Sequence, residues 1–586
     1  MQQSFSQFIA WLPEGTVWII PLTLFLLLAG WISSITLAVK NKWLTLFAVF
    51  PLTNPLAVIG LMYKNTTASL IPVGFYTLAL IVWFGGSSRS YKIESKRLIE
   101  YESKLIEQGE PIHASDYVMP KGNPEENAWE HPFLKPLALA GQPGPEGKEA
   151  LKNVDQKYEK LVIPRSRKKI RYEEADTERL PMFKPARSIL EAAVRSNLSS
   201  DQKADHEKFP TTPEEAARDL LDFLNQTKPD LEQLQEALSR PNDVYPFAWT
   251  QGFNLLLPHL SKMKNFSQIT HMHSIANSIL GDGITSFENT RLAFQLSQTG
   301  DSDILISRLV QIAQQIIALE TLVAAQNHHA WNETQWMEVK EILENIDMIQ
   351  IMPDSLRSER ALGRASIEPL MSQTWTEAMR TISRIDGGGG PDGIEGFLKA
   401  TLNVFGSNFS RAFLTKQWRL CQEAYSFMID DLEKAAEASK TDPWRDVQVS
   451  WQDKDLNSYG LLASMLLPAL DKAQSKAVLH QAKIELAKTT VDLERYFLRH
   501  KEYPSSLEDL VPDFTDSTPL DPMTRKPYAY KRLSKASFEI YSTGLNGKDE
   551  EGRHSTKHRR GEAPPPDDLL WIVGELSSEF PNYTAD

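Results

Sequence analysis

The apolar positions of this chain change rhythm along its length. From Val17 to Val39 they run without a charge, far enough for a helix to cross a hydrocarbon core of ~30 Å. Leu44–Tyr63 is also apolar but carries Pro51 and Pro55, and Ser69–Gly85 is a third uncharged stretch near the lower limit of a span. No Lys or Arg precedes the first stretch and more apolar sequence follows it, so a cleaved signal peptide does not describe it. Residues 1–88 are therefore expected to anchor the chain in a bilayer through two or three transmembrane helices. Lys40 and Lys42 follow the first stretch, Lys64 the second, and Arg89, Lys92, Lys96 and Arg97 the third. With three spans and an outside N-terminus, all of these cations but Lys64 fall inside, and the soluble part is cytoplasmic. With the proline-bearing stretch re-entrant there are two spans, and the side of the soluble part is open.

Past Gly85 the pattern turns polar. Arg89–Gln108 reads as a charged helix ending at Gly109. Residues 89–210 are expected to be a helical stalk followed by a linker, because Met119–Pro124, Gly141–Gly147 and the basic run Arg165–Arg171 concentrate Pro, Gly and charge. Over residues 211–470 the apolar period is near 3.6. Thr212-Pro213-Glu214-Glu215 supplies a capping hydroxyl, a proline at the first helical position and acids in the first turn. Within Asp301–Ala325, Leu305, Leu309, Ile312, Ile316 and Leu319 recur at three- and four-residue spacing. Further helices are expected at Asp230–Ser239, Phe253–Met263, Ile269–Leu280, Ser286–Gln298, Glu333–Ile346, Ser355–Ile385, Ile394–Lys416 and Gln417–Ser439. Such faces are buried only against one another, which predicts a mainly α soluble domain of helical hairpins. Gly387–Gly390 before Pro391 is a break rather than a phosphate loop, since no Gly-Lys-Ser/Thr follows.

Residues 471–586 have a different texture. A helix over Asp471–His500 aligns Leu479, Ala482, Leu486, Leu493 and Tyr496. Tyr528–Leu533 and Ser537–Ser542 alternate about the turn Ser534-Lys535-Ala536, and Leu569–Val573 reads as a last strand. The expected unit is a small α+β module with its helix on an antiparallel sheet. The loop Ser542–Asp549 is rich in glycine and oxygen, and Glu551, Asp567 and Asp568 add acids. Hard cations want oxygens of this kind, although the spacing is not that of an EF-hand.

One run of residues carries a resemblance. Leu493-Glu494-Arg495-Tyr496, Tyr503-Pro504, Leu507, Leu510, Asp521-Pro522, Pro527-Tyr528, Tyr541-Ser542-Thr543-Gly544, Asn546-Gly547 and Asp567-Asp568 stand in an order that resembles the globular domain of the type II secretion major pseudopilin. The resemblance implies a pseudopilin-like module with calcium in its loop, held by Leu545, Asn546, Asp549, Asp567 and Asp568, and a place in secretion or envelope assembly. Residues 1–40 lack the basic leader and early helical Glu of a pseudopilin, so the module is expected to be grafted onto another architecture. Through Pro124–Ala128, Leu234–Pro241, Leu305–Ala313 and Glu359-Arg360-Ala361, the longer chain also resembles membrane-anchored proteins of planctomycetes and verrucomicrobia. That implies a bacterial cell membrane and no particular activity.

Composition narrows the function classes. A net charge of -13 argues against a general nucleic-acid binder, and the single Cys421 excludes an internal disulfide or a multi-cysteine metal site. His271 and His273 are two residues apart and His328 and His329 adjacent, neither pair at metalloprotease spacing, so structural roles are expected. Arg357, Glu359 and Arg360 are expected to form ion pairs. With no catalytic signature, the expected function is a membrane-anchored, non-enzymatic interaction or scaffold protein. Its partners are the lipid bilayer and other proteins, with an envelope or secretion component as the alternative.

Overall fold

The computed structural model describes residues 16–38, 66–120, 122–163, 170–172, 181–199, 210–300, 303–371, 395–447, 459–546, 548–553, 567–574 and 583–585. The first apolar stretch forms α1 (Thr16–Ala38), and the third joins the charged stalk as one continuous helix, α2 (Thr66–Glu107). The middle stretch, Leu44–Tyr63, lies outside the described residues. Helices α1 and α2 pack antiparallel, because Gly30 lies against the Tyr76 ring while Gly86 lies against Ile19. Trp18, Leu24, Phe25 and Ile81 of this pair are each more than half exposed.

The next segment departs from expectation. Residues 122–163, whose Pro and Gly suggest a linker, form short helices that include α3 (Lys135–Ala140) and α4 (Pro145–Lys157). The prolines open helices, where the missing N–H costs nothing: Pro124, Pro136 and Pro145 all stand in first turns, and Asn123 Oδ1 caps by accepting from Glu125 N. Trp129, Phe133, Leu134, Tyr158 and Leu161 are buried in a second hydrophobic cluster. A three-residue strand, β1 (Ile170–Tyr172), precedes α5 (Pro185–Ser199), α6 (Pro213–Leu224) and α7 (Lys228–Leu238).

The helical body continues with α8 (Pro258–Ile279), α9 (Gly283–Gln298), α10 (Leu305–Asn327), α11 (Glu333–Glu344), α12 (Met352–Met371), α13 (Glu395–Ala438), the one-turn α14 (Trp444–Val447) and α15 (Gly460–His500). Two expected helices merge in α8 and two in α13. Several polar residues in the second half of α8 are buried and paired. Ser274 shares a hydrogen bond of 2.7 Å with Thr290, Ser278 shares one of 2.7 Å with Ser286, and Thr290 donates to Thr321 at 2.9 Å. Among the described residues, α10 is the helix long and apolar enough to cross a membrane, but 67% of its apolar window is buried, and Trp18–Ser33 in α1 is apolar and shorter. We therefore read α10 as a core helix.

Helix α12 holds the body to the stalk. Arg357 and Arg360 pair with Glu110 just past the end of α2, and Arg364 pairs with Glu102 inside it. Glu359 has a different role: its Oε1 accepts from Leu305 N at 3.1 Å and so caps α10, and burial pushes its carboxyl up to about 7.

The chain ends in the expected small antiparallel sheet. A short ladder of β2 (Leu520–Asp521) and β3 (Lys526–Pro527) precedes β4 (Ala529–Ser534), β5 (Ser537–Ser542) and β6 (Leu569–Val573), ordered β4-β5-β6. Phe538 pairs with Val573 and Ser542 with Leu569, and the last strand, β7 (Tyr583–Ala585), pairs with β1. The module has no core of its own. One hydrophobic cluster runs from Phe287 and Trp336 through Tyr425 and Leu486 to Ile540 and Trp571, because α15 faces the body and the sheet at once.

Candidate metal centre

The loop between β5 and β6 is tied at its base before any acid is placed. Asp521 accepts from Ser542 Oγ at 2.6 Å and from Thr543 N and Oγ1 at 3.2 and 3.1 Å. The Asp521-Pro522 and Ser542-Thr543 pairs thus fasten the turn to the end of β5. Gly544 then passes so close to Asp567 that a Cβ would run into its carboxyl and its carbonyl. Next, the chain reverses through Glu551 (φ 59) and Gly552 (φ 77), both left-handed, which favours glycine and is strained for glutamate.

This path gathers three acids. Asn546 N donates to Asp567 Oδ2 at 3.3 Å, and Asn546 Nδ2 donates to Glu550 Oε1 at 2.7 Å. The amides of Glu550 and Gly552 both donate to Asp568 Oδ2 at 2.9 Å. Glu550, Asp567 and Asp568 each bring a carboxylate oxygen within 4.8 Å of the others. Asp568 is fully buried, and its Oδ1, like Glu550 Oε2, is met by no hydrogen-bond donor. Burial, and after it the Glu550 charge, pushes the Asp568 carboxyl up to about 7 against the pull of the two amides. Buried acids that face one another without a donor take up either a proton or a cation. One carboxylate oxygen from each of the three acids, completed by carbonyls or water, suits Ca²⁺.

The expected ligand set is only partly assembled. Asp567 and Asp568 are in the cluster. Asn546 is beside it but offers its N–H groups, since its Oδ1 accepts from Lys548 N at 2.7 Å. Asp549 faces away, accepting from Tyr541 Oη at 3.0 Å and from Glu551 N at 2.9 Å. The side chain of Leu545 packs on the main core, which leaves only its carbonyl oxygen to act as a ligand. Glu550 stands where Asp549 was expected. The run Asp549-Glu550-Glu551 signals acids here, but only the left-handed turn selects the middle one. Of the nearby cations, Arg553 donates from Nε to the Glu550 carbonyl at 2.9 Å, and His554, Lys557, His558, Arg559 and Arg560 lie outside the described residues.

Other sequence candidates are structural. His271 bonds Glu320 at 2.9 Å, and Ser188 Oγ donates to the same carboxylate at 2.8 Å. His273 instead meets Thr227 Oγ1 at 3.2 Å, and burial pushes its pKa down to about 4. His329 stacks on Phe497 and bonds Glu494 at 2.8 Å. Cys421 is buried and its thiol pushed up to about 12, far from a nucleophile's range. Compared with family models, with curated proteins and with solved structures, the chain matches none.

Proposed function

We propose that this is a membrane-anchored, non-enzymatic interaction protein whose helical body presents a calcium-binding C-terminal module. The observation that carries the reading is the Glu550–Asp567–Asp568 cluster, with two carboxylate oxygens facing one another and no donor to either. The pseudopilin-like residue order supports calcium as the cation, and the exposed apolar faces of α1 and α2 support a bilayer as the partner of the N-terminal helices. Antiparallel packing of α1 on α2 favours two spans over three, because alternating triple spans would run the first and third in parallel. A two-span hairpin leaves the start of α1 and the soluble body on one side. Calcium is abundant outside the cytoplasm, so that side is the extracytoplasmic one, and an envelope role takes precedence over a cytoplasmic scaffold.

Terbium luminescence, sensitised by Trp571 in the full-length protein, tests the cation, and reporters fused at the two ends test the side. The expected result is saturable terbium emission displaced by Ca²⁺ and absent in Asp567→Asn/Asp568→Asn, with both reporters extracytoplasmic. Emission unchanged in the double variant would sink the metal reading, and reporters on opposite sides would restore three spans. Proton and cation also compete for Asp568, whose bound proton is released on metal binding. Apparent Ca²⁺ affinity should therefore fall by up to about tenfold per pH unit below pH 7 and level off above it. A pH-independent affinity between pH 5 and 7 would refute that assignment.

A further inference from the structure

The acids sit at the entrance to β6, which meets the C-terminal end of α10, while β2 and β5 meet α15. The turn after β2 meets the start of α14, where Trp444 N donates to Pro522 O at 2.9 Å. All of Leu569–Val573 is buried. Trp571 Nε1 donates to Gln326 Oε1 at 2.9 Å, and the same amide donates from Nε2 to Thr490 O of α15 at 3.0 Å. Gln326, itself fully buried, thus joins α10, α15 and β6. One residue on, Asn327 Oδ1 accepts from Gly574 N at 3.0 Å. On its outer edge the strand accepts from Met182 N at Leu570 O at 2.9 Å, and the Phe183 ring stands edge-on to Trp571 at 5.3 Å. At its start, Asp568 N donates to Arg553 O at 3.1 Å while Asp568 Oδ2 takes the Glu550 and Gly552 amides.

We propose that cation binding at Glu550, Asp567 and Asp568 and the seating of β6 on the C-terminal end of α10 form one coupled equilibrium, so that the cation governs the docking of the C-terminal sheet on the helical body. The inference rests on the cation reading above. Its physical basis is the extended geometry of a five-residue strand. Residue 568 and residue 571 are on one rigid run, so the register that brings Asp568 against Glu550 is the register that brings Trp571 to Gln326. In the seated state the Asp568 and Glu550 oxygens confront each other without a donor. Unseating the strand lets them separate and hydrate. A cation removes the repulsion only in the seated state and therefore favours it, and the coupling is reciprocal: weakening the seat must weaken the cation.

The test uses full-length protein in lipid nanodiscs with Ca²⁺ as the probe. Ca²⁺ should slow hydrogen exchange of the amides of residues 569–574 and 326–329. Gln326→Leu, which touches no acid, should lower Ca²⁺ affinity about tenfold, within the usual range of coupling between sites. Asn327→Ala, at a helix end and milder, should lower it in the same direction and serves if Gln326→Leu fails to fold. Folded variants that bind Ca²⁺ with the wild-type affinity would overturn the coupling and leave the cation site standing. Wild-type protein that binds no Ca²⁺ would overturn both.

Discussion

Replacing Arg360 with alanine is expected to cost about 3 kcal/mol. Its side chain is 1% exposed. Nη2 donates to Glu110 Oε2 at 2.5 Å and to Pro111 O at 3.2 Å, and Nη1 donates to Ser426 Oγ at 3.2 Å. Arg357 reaches the same carboxylate from Nε at 3.1 Å to each oxygen, and Arg364 Nε donates to Glu102 at 3.0 Å, to which Gln422 also donates at 2.8 Å. Spaced three and four apart, the three arginines face the end of α2 together. Breaking a buried pair by deleting one partner leaves the other desolvated and uncompensated, typically a loss of 3–5 kcal/mol. Part-exposed Glu110 and its second arginine place this case at the lower end. Lysine should rescue little, since a point charge cannot serve three acceptors in a planar fork. Thermal and urea unfolding of Arg360→Ala, with limited proteolysis of residues 108–120, checks this. A loss under about 1 kcal/mol would mean that the network behaves as a solvated surface pair.

The expected ion pairs of Arg357 and Arg360 were legible because charge at helical spacing must face something, but their partner on α2 is a tertiary fact. Elements whose signal is local appear where sequence places them: α1 shadows the charge-free run from Val17, and β5 and β6 coincide with Ser537–Ser542 and Leu569–Val573. Sequence fails where burial is polar. The polar residues Lys264, Asn265, Ser267 and Gln268 separate two apolar stretches of α8, so one long helix looks like two short ones, and His271, His273 and Ser274 beyond them are polar yet buried. It fails again at residues 122–163, where prolines that start helices resemble the prolines of a linker, and only the aromatic anchors Trp129, Phe133 and Tyr158 hint at a core. The candidate site divides the same way. Asp567 and Asp568 are marked by the strand that follows them, whereas the choice of Glu550 over Asp549 depends on a positive φ at Glu551 that no composition reveals.

That choice makes the second large expected effect. Gly544→Ala should abolish cation binding, because the added methyl occupies the space of the Asp567 carboxyl and carbonyl. The carboxyl can swing away, but the carbonyl is backbone, so the turn itself must shift and Asp567 leaves the cluster. At a Ca²⁺ concentration one hundred times the dissociation constant, wild-type protein gains about 2.7 kcal/mol of apparent stability, and the variant should gain none. Without calcium the variant should already be weakened by about 1–3 kcal/mol of overpacking. Unfolding midpoints with Ca²⁺ and with chelator separate the two contributions. Paired substitutions then distinguish the acids: Glu550→Gln should remove the calcium-dependent gain, while Asp549→Asn should keep it, since Asp549 already serves Tyr541 and Glu551 N. The reverse result, binding lost with Asp549→Asn and kept with Glu550→Gln, would show that the loop turns the other acid inward. It would also return the ligand set to the one the residue order alone suggests.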